Sequence, residues 1–433
     1  MTPRIVIIGA GFAGYHAAKT LCKLAKGRAE IVVVNPTDYF LYLPLLPEVA
    51  TGILEPRRVT VSLADTLPDV RLVLGEVDGL DLEKRIVRYA DPGDRPGEIG
   101  YDRLIIAAGS VNKLLPIPGV AEHAHGFRGI PEAVFLRDHL TQQIERADAT
   151  DDQAERDSFC TFVVVGAGYT GTEVAAHGVL YTDLLKKRRP RLRNQRIQWM
   201  LLDIADRVMP ELDIRLSRTA DKVLRDRGVD VRMKMSVEEA TREGVRLTDK
   251  EFVPTQSLIW CVGVRPDPVV EALGLKTERG RLSVDEFLNV PGHPDVYACG
   301  DAAAVPDLTR PGEVTPMTAQ HAERQGRRAA HNVAASFGTG ERKAYSHKDL
   351  GFVVDLGGTQ AAADPLQIPL SGLLAKVVTR GYHLLSMPGN RIRTATEWLL
   401  DATLTRQTTH LGVIPAADVP LETASPERPG HRH

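Results

Sequence analysis

Two copies of a glycine fingerprint stand 157 residues apart in this chain, and their repetition constrains the fold more than any other feature. The first, Gly9-Ala10-Gly11-Phe12-Ala13-Gly14, follows the apolar run Ile5-Val6-Ile7-Ile8. The second, Gly166-Ala167-Gly168-Tyr169-Thr170-Gly171, follows Phe162-Val163-Val164-Val165. In each, a buried strand turns through glycines that admit a pyrophosphate to the backbone, and the next helix aims its positive N-terminal end at the anion. A single match also describes any tight strand–helix connection. Two matches in the same strand–turn–helix setting predict an α/β chain with two Rossmann-like domains. Such a chain holds two dinucleotides between which electrons can pass.

At 433 residues the chain is too long for one core, so two or three domains are expected. Its 43% apolar and 25% charged residues are those of an ordinary globular protein. A net charge of −2 suggests no nucleic-acid partner and no acidic polymer. No apolar run approaches the ~18 residues that span a bilayer. The apolar N-terminus imitates a signal peptide, but its glycines fall where the fingerprint needs them and no cleavage-like site follows. The expectation is a chain that starts in the cytoplasm, with neither signal peptide nor transmembrane helix. Cys22, Cys160, Cys261 and Cys299 form no C-x-x-C or C-x4-C pair. Neither a metal site nor a local redox dithiol is indicated, and inert buried thiols are expected.

Asn35 ends the run Ile31-Val32-Val33-Val34, where an acid that binds ribose is expected about 20 residues past the last glycine. Its amide can still bond a ribose hydroxyl. The aromatic segment Tyr39 to Pro47 reads as a core-covering loop or as the wall of a flat ring system, its prolines opposing a regular helix. Residues 70–110 alternate like an antiparallel meander and end in Ala107-Ala108-Gly109, small enough for backbone to approach a cofactor. A helical stretch from Pro131 to Arg146 and a charged linker follow. Seven basic residues crowd between Lys186 and Arg196, either as a solvated loop or as an attractor of anionic lipid. The strand Trp199-Met200-Leu201-Leu202 then ends at Asp203, an acid that accepts from a ribose 2′-hydroxyl and repels a 2′-phosphate, favouring NADH over NADPH. A second meander lies between 230 and 290. After it, Asp295 to Asp301 reads as a strand whose terminal Gly300-Asp301 places a carboxylate beside a sugar-alcohol hydroxyl.

These residues resemble the two-dinucleotide flavoproteins of glutathione-reductase-like fold. The resemblance implies FAD on Gly9, Gly11, Phe12, Ala13, Gly14, Asn35, Ala108, Gly109, Gly300 and Asp301. It implies NADH on Gly166, Gly168, Gly171 and Asp203. Within that superfamily the chain is similar to the type II NADH dehydrogenases, single-subunit NADH:quinone oxidoreductases of the membrane surface. The matching stretches are Pro44 to Gly52, Glu173 two residues past the second fingerprint, Ala319-Gln320-His321-Ala322, and a C-terminal series from Lys348 to Trp398. Their implied chemistry is hydride transfer from NADH to flavin N5, then two-electron reduction of a membrane-borne quinone without proton pumping. Glu173 would orient the nicotinamide or relay a proton, and Gln320 would bond an acceptor carbonyl or the flavin edge. Their plain alternatives are an exposed helix glutamate and a satisfied buried amide.

The chain departs from this pattern at three places. Asn35 replaces the usual acid, Arg324 stands where a second glutamine is usual with Gln325 one place later, and Lys376 and Arg380 replace aromatic residues. Residues 366–407 mix Leu, Val, Tyr and Trp with Lys376, Arg380, Arg391, Arg393 and Arg406, as in helices whose apolar side lies in lipid and whose cations meet head groups. A pair of helices packed on the domain or on a second subunit fits equally, so a homodimer stays open. The expected organisation is an FAD domain in two parts (1–115 and 290–340), an NADH domain (116–289), a C-terminal segment associating with the inner leaflet of the cell membrane (341–415) and a disordered tail (416–433). The rival functions are a soluble NADH:ferredoxin or rubredoxin reductase and a non-enzymatic flavoprotein redox sensor. With no cysteine after Cys299, the chain lacks the paired thiols of a sulfide:quinone reductase.

Overall fold

Both fingerprints sit where a parallel strand ends and a helix begins. The computed structural model describes residues 2–421, which divide into two units, each threaded by three segments of chain. The first unit is built from the chain up to Leu41, Thr60–Val111 and Arg265–Asp349, and the second from Tyr42–Val59, Asn112–Val264 and the chain from Leu350 on.

The sheet of the first unit has six strands in the order Asn289–Val290, His293–Ala298, Arg103–Ile106, Arg4–Ile8, Glu30–Asn35 and Arg71–Leu74. All pairings are parallel except the hairpin at the Asn289–Val290 edge. Ile5, Val6, Ile7, Val32, Val33, Leu104 and Ile105 are buried, because a parallel sheet is covered on both faces and its strands read as unbroken apolar runs. The helices Phe12–Ala25 and Ala319–Ser336 pack against each other, with Gly326 at the contact. A Cβ on Gly326 would stand 2.0 Å from the Ala13 carbonyl oxygen.

The meander expected over 70–110 is shorter than the alternation suggests. Glu76–Asp81, Ile86–Ala90 and Pro96–Gly100 form an antiparallel three-stranded sheet, whereas Arg71–Leu74 and Arg103–Ile106 belong to the parallel one. Burial on both faces claims Leu104, Ile105 and Ile106 for the core sheet. The segment Tyr39 to Pro47 corrects a second expectation. It contains the strand Tyr39–Leu41 and, in the other unit, a short helix Leu46–Ala50 that starts around Pro47. Proline is tolerated in a first turn, where its missing N–H would have no partner.

The second unit repeats the plan with five parallel strands, ordered Ala124–Gly126, Ser257–Trp260, Thr161–Val165, Gln198–Asp203 and Asp230–Met233. Trp199 stacks on Phe162 with ring centroids 4.8 Å apart and donates its indole N–H to Thr182. Of the second meander, Val237–Ala240, Gly244–Leu247 and Phe252–Pro254 form an antiparallel sheet. Val353–Asp355, Ala361–Ala363 and Leu370–Ser371 form another, followed by the helices Gly372–Ser386 and Arg391–Thr403. Of the tail expected to be disordered, 416–421 hold one 3-10 turn and end with Leu421 in the core of the unit, and 422–433 lie outside the described residues. Among the described residues no helix is long and apolar enough to cross a membrane.

Gly326→Val is expected to lower stability by about 1–3 kcal/mol, because the two helices must separate to admit the side chain. Gly381, inside Gly372–Ser386, has nothing within 4 Å of a Cβ. Gly381→Ala should therefore raise stability by up to ~1 kcal/mol, and urea midpoints of the two variants read the contrast.

Candidate functional site

The first fingerprint works by close approach. Gly9 has φ +90°, and a Cβ there would stand 2.4 Å from the Ala107 carbonyl oxygen. A Cβ on Gly14 would lie 1.8 Å from the Gly9 carbonyl oxygen. Gly11, which caps the helix Phe12–Ala25, has instead nothing within 4 Å of where its Cβ would point. Asn35 holds this loop, its Oδ1 accepting from the Ala10 N–H at 2.7 Å while Nδ2 donates to the Thr37 carbonyl at 2.9 Å.

The second fingerprint has the same anatomy. Gly166 has φ +103° and no room for a Cβ against the Cys261 carbonyl, and Gly171 has none against the Gly166 carbonyl. Gly168 again faces open space at a helix cap. Asp203 takes the part played by Asn35, accepting from the Ala167 N–H at 2.5 Å and from the Ala205 N–H at 2.8 Å. An amide and a carboxylate thus perform one task, because both present an oxygen to an inward N–H.

In the first unit the remaining predicted residues gather at the same carboxyl end of the sheet. Ala108 and Gly109 follow the strand Arg103–Ile106, and Gly109 has φ +79° with open space beyond its Cα. Gly300 and Asp301 open a 3-10 turn after His293–Ala298, and a Cβ on Gly300 would touch Ala13 at 3.0 Å. Ser110 donates to Asp301 Oδ2 at 2.5 Å. Phe12 packs edge-on against Phe40, which supports the core-covering reading of the aromatic segment. The cradles fit dinucleotides: the glycines are crowded where the turn must close and open where a phosphate would lie.

Gln325 emerges as a positioning residue. Fully buried, it accepts from the Gly300 N–H at 2.8 Å and donates to Thr315 Oγ1 at 2.8 Å, fixing the turn that presents Asp301. The displaced glutamine noted beside Arg324 was its only sequence signal. Gln320, in the first turn of Ala319–Ser336, has its Oε1 2.8 Å from His347 Nε2.

Glu173 belongs to the second unit, where it accepts from the Asp355 N–H at 2.9 Å. Burial, with the carboxylates of Asp355 and Glu48 nearby, holds its pKa well above the usual glutamate range. Lys376 Nζ lies 2.5 Å from both Asp355 oxygens, and His177, one turn after Glu173, is 3.3 Å from Oδ1. Burial opposes ionisation of Asp355, but His177 and Lys376 outweigh it and hold the carboxyl below its usual range. Glu48 is raised by burial and by Asp355, against the pull of Lys376 and Arg380. It accepts from the Trp398 indole, over whose ring Arg380 lies 4.7 Å from the centroid.

Lys376 and Arg380 therefore face protein, which corrects their expected place among head-group cations. Arg406 pairs with Asp401 and donates to the Thr51 carbonyl, whereas Arg391 and Arg393 are exposed, Arg391 donating to the Met387 and Leu385 carbonyls. In the basic run, Arg189 pairs with Glu145, Arg191 with Asp151, and Arg188 donates to Thr408. All four cysteines are free, and burial pushes Cys160 up to about 11 and Cys261 and Cys299 up to about 12.

Fold and paired cradles define a class, enzymes that bind one dinucleotide on each of two parallel sheets. The family model for pyridine nucleotide-disulphide oxidoreductases matches residues 3–326. The type II NADH:quinone oxidoreductase NdhA of Mycobacterium tuberculosis is 30% identical over 410 residues, 90% of this chain and 85% of that protein. The same organism's Ndh is 29% identical over 96% of this chain and 90% of its own length. In fold, the chain is similar to NDH2 of Plasmodium falciparum, solved in complex with NADH, with TM-score 0.86, 17% identity, and coverage of 94% of this chain and 100% of that one. The chain belongs to the pyridine nucleotide-disulphide oxidoreductases and, within them, to the type II NADH:quinone oxidoreductases.

A carboxyl whose pKa is raised by folding makes the folded state less favourable as pH rises from the usual range toward the raised value. Glu173→Gln keeps an acceptor for the Asp355 N–H and removes the charge. Its urea midpoint should exceed the parent's at pH 8, by on the order of 1–3 kcal/mol in stability, and match it below about pH 4.

Proposed function

We propose that this protein is an FAD-dependent NADH:quinone oxidoreductase that converts NADH, a proton and a quinone to NAD⁺ and a quinol. The observation that carries the reading is the duplicated cradle, with its matched clamps Asn35–Ala10 and Asp203–Ala167. Bound FAD supplies a two-electron relay between the two substrates. Asp301, held by Ser110, accepts from a hydroxyl of the flavin side chain. Asp203, placed at its strand end by two backbone N–H bonds, accepts from a ribose 2′-hydroxyl and disfavours a 2′-phosphate. Glu173 carries a proton at pH values where ordinary glutamates have lost theirs, which suits delivery of a proton during turnover. Gln320, whose Oε1 meets His347, bonds the acceptor carbonyl or the flavin edge.

The quinone is taken from a membrane surface through the C-terminal helices. On Gly372–Ser386 the side chains of Ala375, Lys376, Thr379 and His383 are buried, while Leu373, Leu374, Val377 and Leu385 are each more than 60% exposed. Ile392 and Leu399 extend the apolar surface on Arg391–Thr403. One inward polar stripe and one outward apolar stripe make an interfacial helix. With Lys376 and Arg380 turned inward, exposed Arg391 and Arg393 are the cations left beside this apolar surface.

Purified, FAD-loaded protein is expected to oxidise NADH with a soluble quinone analogue. Gln320→Leu should cut quinone turnover at least tenfold while ferricyanide reduction survives. Flavin reduction by NADH with no quinone turnover would sink the quinone assignment and leave the cofactors standing. In flotation, the triple change of Leu373, Leu374 and Val377 to Ser should release the protein from vesicles. If it instead converts a lipid-free dimer to monomer without affecting flotation, the face belongs to a second copy.

A further inference from the structure

The helix Ala319–Ser336 carries two faces of unlike character. Ala322, Gln325, Gly326, Ala329 and Val333 are buried, and the Gly326 contact with Ala13 sets the helix rigidly on the first fingerprint helix. Arg324, Arg327, Arg328 and His331 stand outside at intervals of three, four and seven residues, which makes them one stripe. This spacing sets like charges side by side, an arrangement that an isolated helix disfavours.

The stripe walls a cavity of about 270 Å³ whose other side is Tyr345, Ser346 and His347. Among the described residues none that lines it is acidic. Arg327 is paired with Glu323 at 2.5 Å, whereas among the described residues neither Arg324 nor Arg328 joins an ion pair. The walls are held in place. Arg324 donates to the Gln320 carbonyl at 2.9 Å, the Tyr345 hydroxyl is 2.8 Å from His321 Nδ1, and His347 is anchored on Gln320. None of these residues belongs to either dinucleotide cradle.

We propose that this cavity binds a phosphate group, with Arg324 and Arg328 supplying the two positive charges that match a phosphate dianion. Guanidinium forks pair with phosphate oxygens bidentately, and the Ser346 hydroxyl adds a neutral donor. The volume leaves room for a small organic group on the phosphate, so the ligand is a soluble phosphate ester or the head group of an anionic phospholipid. The imidazoles report the field. Burial, Arg328 and Lys343 lower the pKa of His331. Burial, Arg324 and His321 lower that of His347 against the opposing pull of Asp349. An anion between them stabilises both imidazolium forms and raises both values.

The test is a titration of the FAD-loaded protein with inorganic phosphate at constant ionic strength, following calorimetry and the imidazole resonances of His331 and His347. The expected result is saturable binding, both pKa values raised, and at least tenfold weaker binding in Arg324→Gln/Arg328→Gln. Arg328→Gln alone, which leaves the Gln320 contact intact, should weaken it in part, so a folding defect in the double variant does not decide the matter. Phosphatidylglycerol vesicles form the second arm, with phosphatidylcholine as control. Raised pKa values with phosphatidylglycerol and not with free phosphate, lost in the variants, support the site and identify a head group as its ligand. No shift with either probe, shifts reproduced equally by chloride, or undiminished binding in both variants overturns the proposal.

Discussion

Contact between backbone and backbone, with no side chain between, is the constraint on which both units depend. Gly14 lies against Gly9, Gly9 against Ala107, Gly171 against Gly166, and Gly166 against Cys261. At each point a single methyl group would have to displace a carbonyl. The crowding sets the angle at which each helix leaves its strand and so aims the helix cap at the end of the sheet. Asn35 and Asp203 then hold the second residue of each loop by its N–H. Asp301, on its Gln325-held bend, is placed against the same turn, since a Cβ on Gly300 would touch Ala13 of the first fingerprint.

The second unit contains a different kind of order. Glu48, His177, Asp355 and Lys376 are buried, and half-buried Glu173 joins them through the Asp355 N–H, so that three separate stretches of the chain meet in one region. A buried ion pair is weak evidence for stability, since desolvation can match the Coulombic gain, yet removing one member leaves a charge without compensation. Here the partition is uneven: Asp355 keeps its charge beside Lys376, and the raised pKa of Glu173 favours its proton. Two carboxyl groups in one region with opposite shifts are the pattern by which environments separate acid from base.

The parallel strands were legible in the sequence because burial on both faces leaves unbroken apolar runs such as Ile5 to Ile8 and Phe162 to Val165. The glycines were legible because few other features require them at that spacing. What could not be read was any partnership across the chain. Asp355 meets Glu173 from 182 positions away, and nothing in the local pattern around Lys376 says that it points inward. In the basic run from Lys186, the partners of Arg189 and Arg191, Glu145 and Asp151, lie some forty residues earlier and so outside any local pattern. Gln325 seemed a displaced motif residue until its two hydrogen bonds gave it a position of its own. The fold class needed only local information, and the site needed contacts that no window of sequence contains.

The threading of the first unit has a consequence for how the protein is made. Arg103–Ile106 pairs on one side with Arg4–Ile8 and on the other with His293–Ala298, which leaves the ribosome about 190 residues later. At ordinary elongation rates this interval lasts roughly 10–40 s. Throughout it, a strand whose Leu104, Ile105 and Ile106 are buried in the complete sheet presents an open edge, the form of β-structure most prone to pairing with the wrong chain. A nascent chain stalled in the middle of the second unit would therefore hold four of the six strands, with the Arg103–Ile106 edge still open. How long that edge stays open is set by the position of one late strand in the sequence.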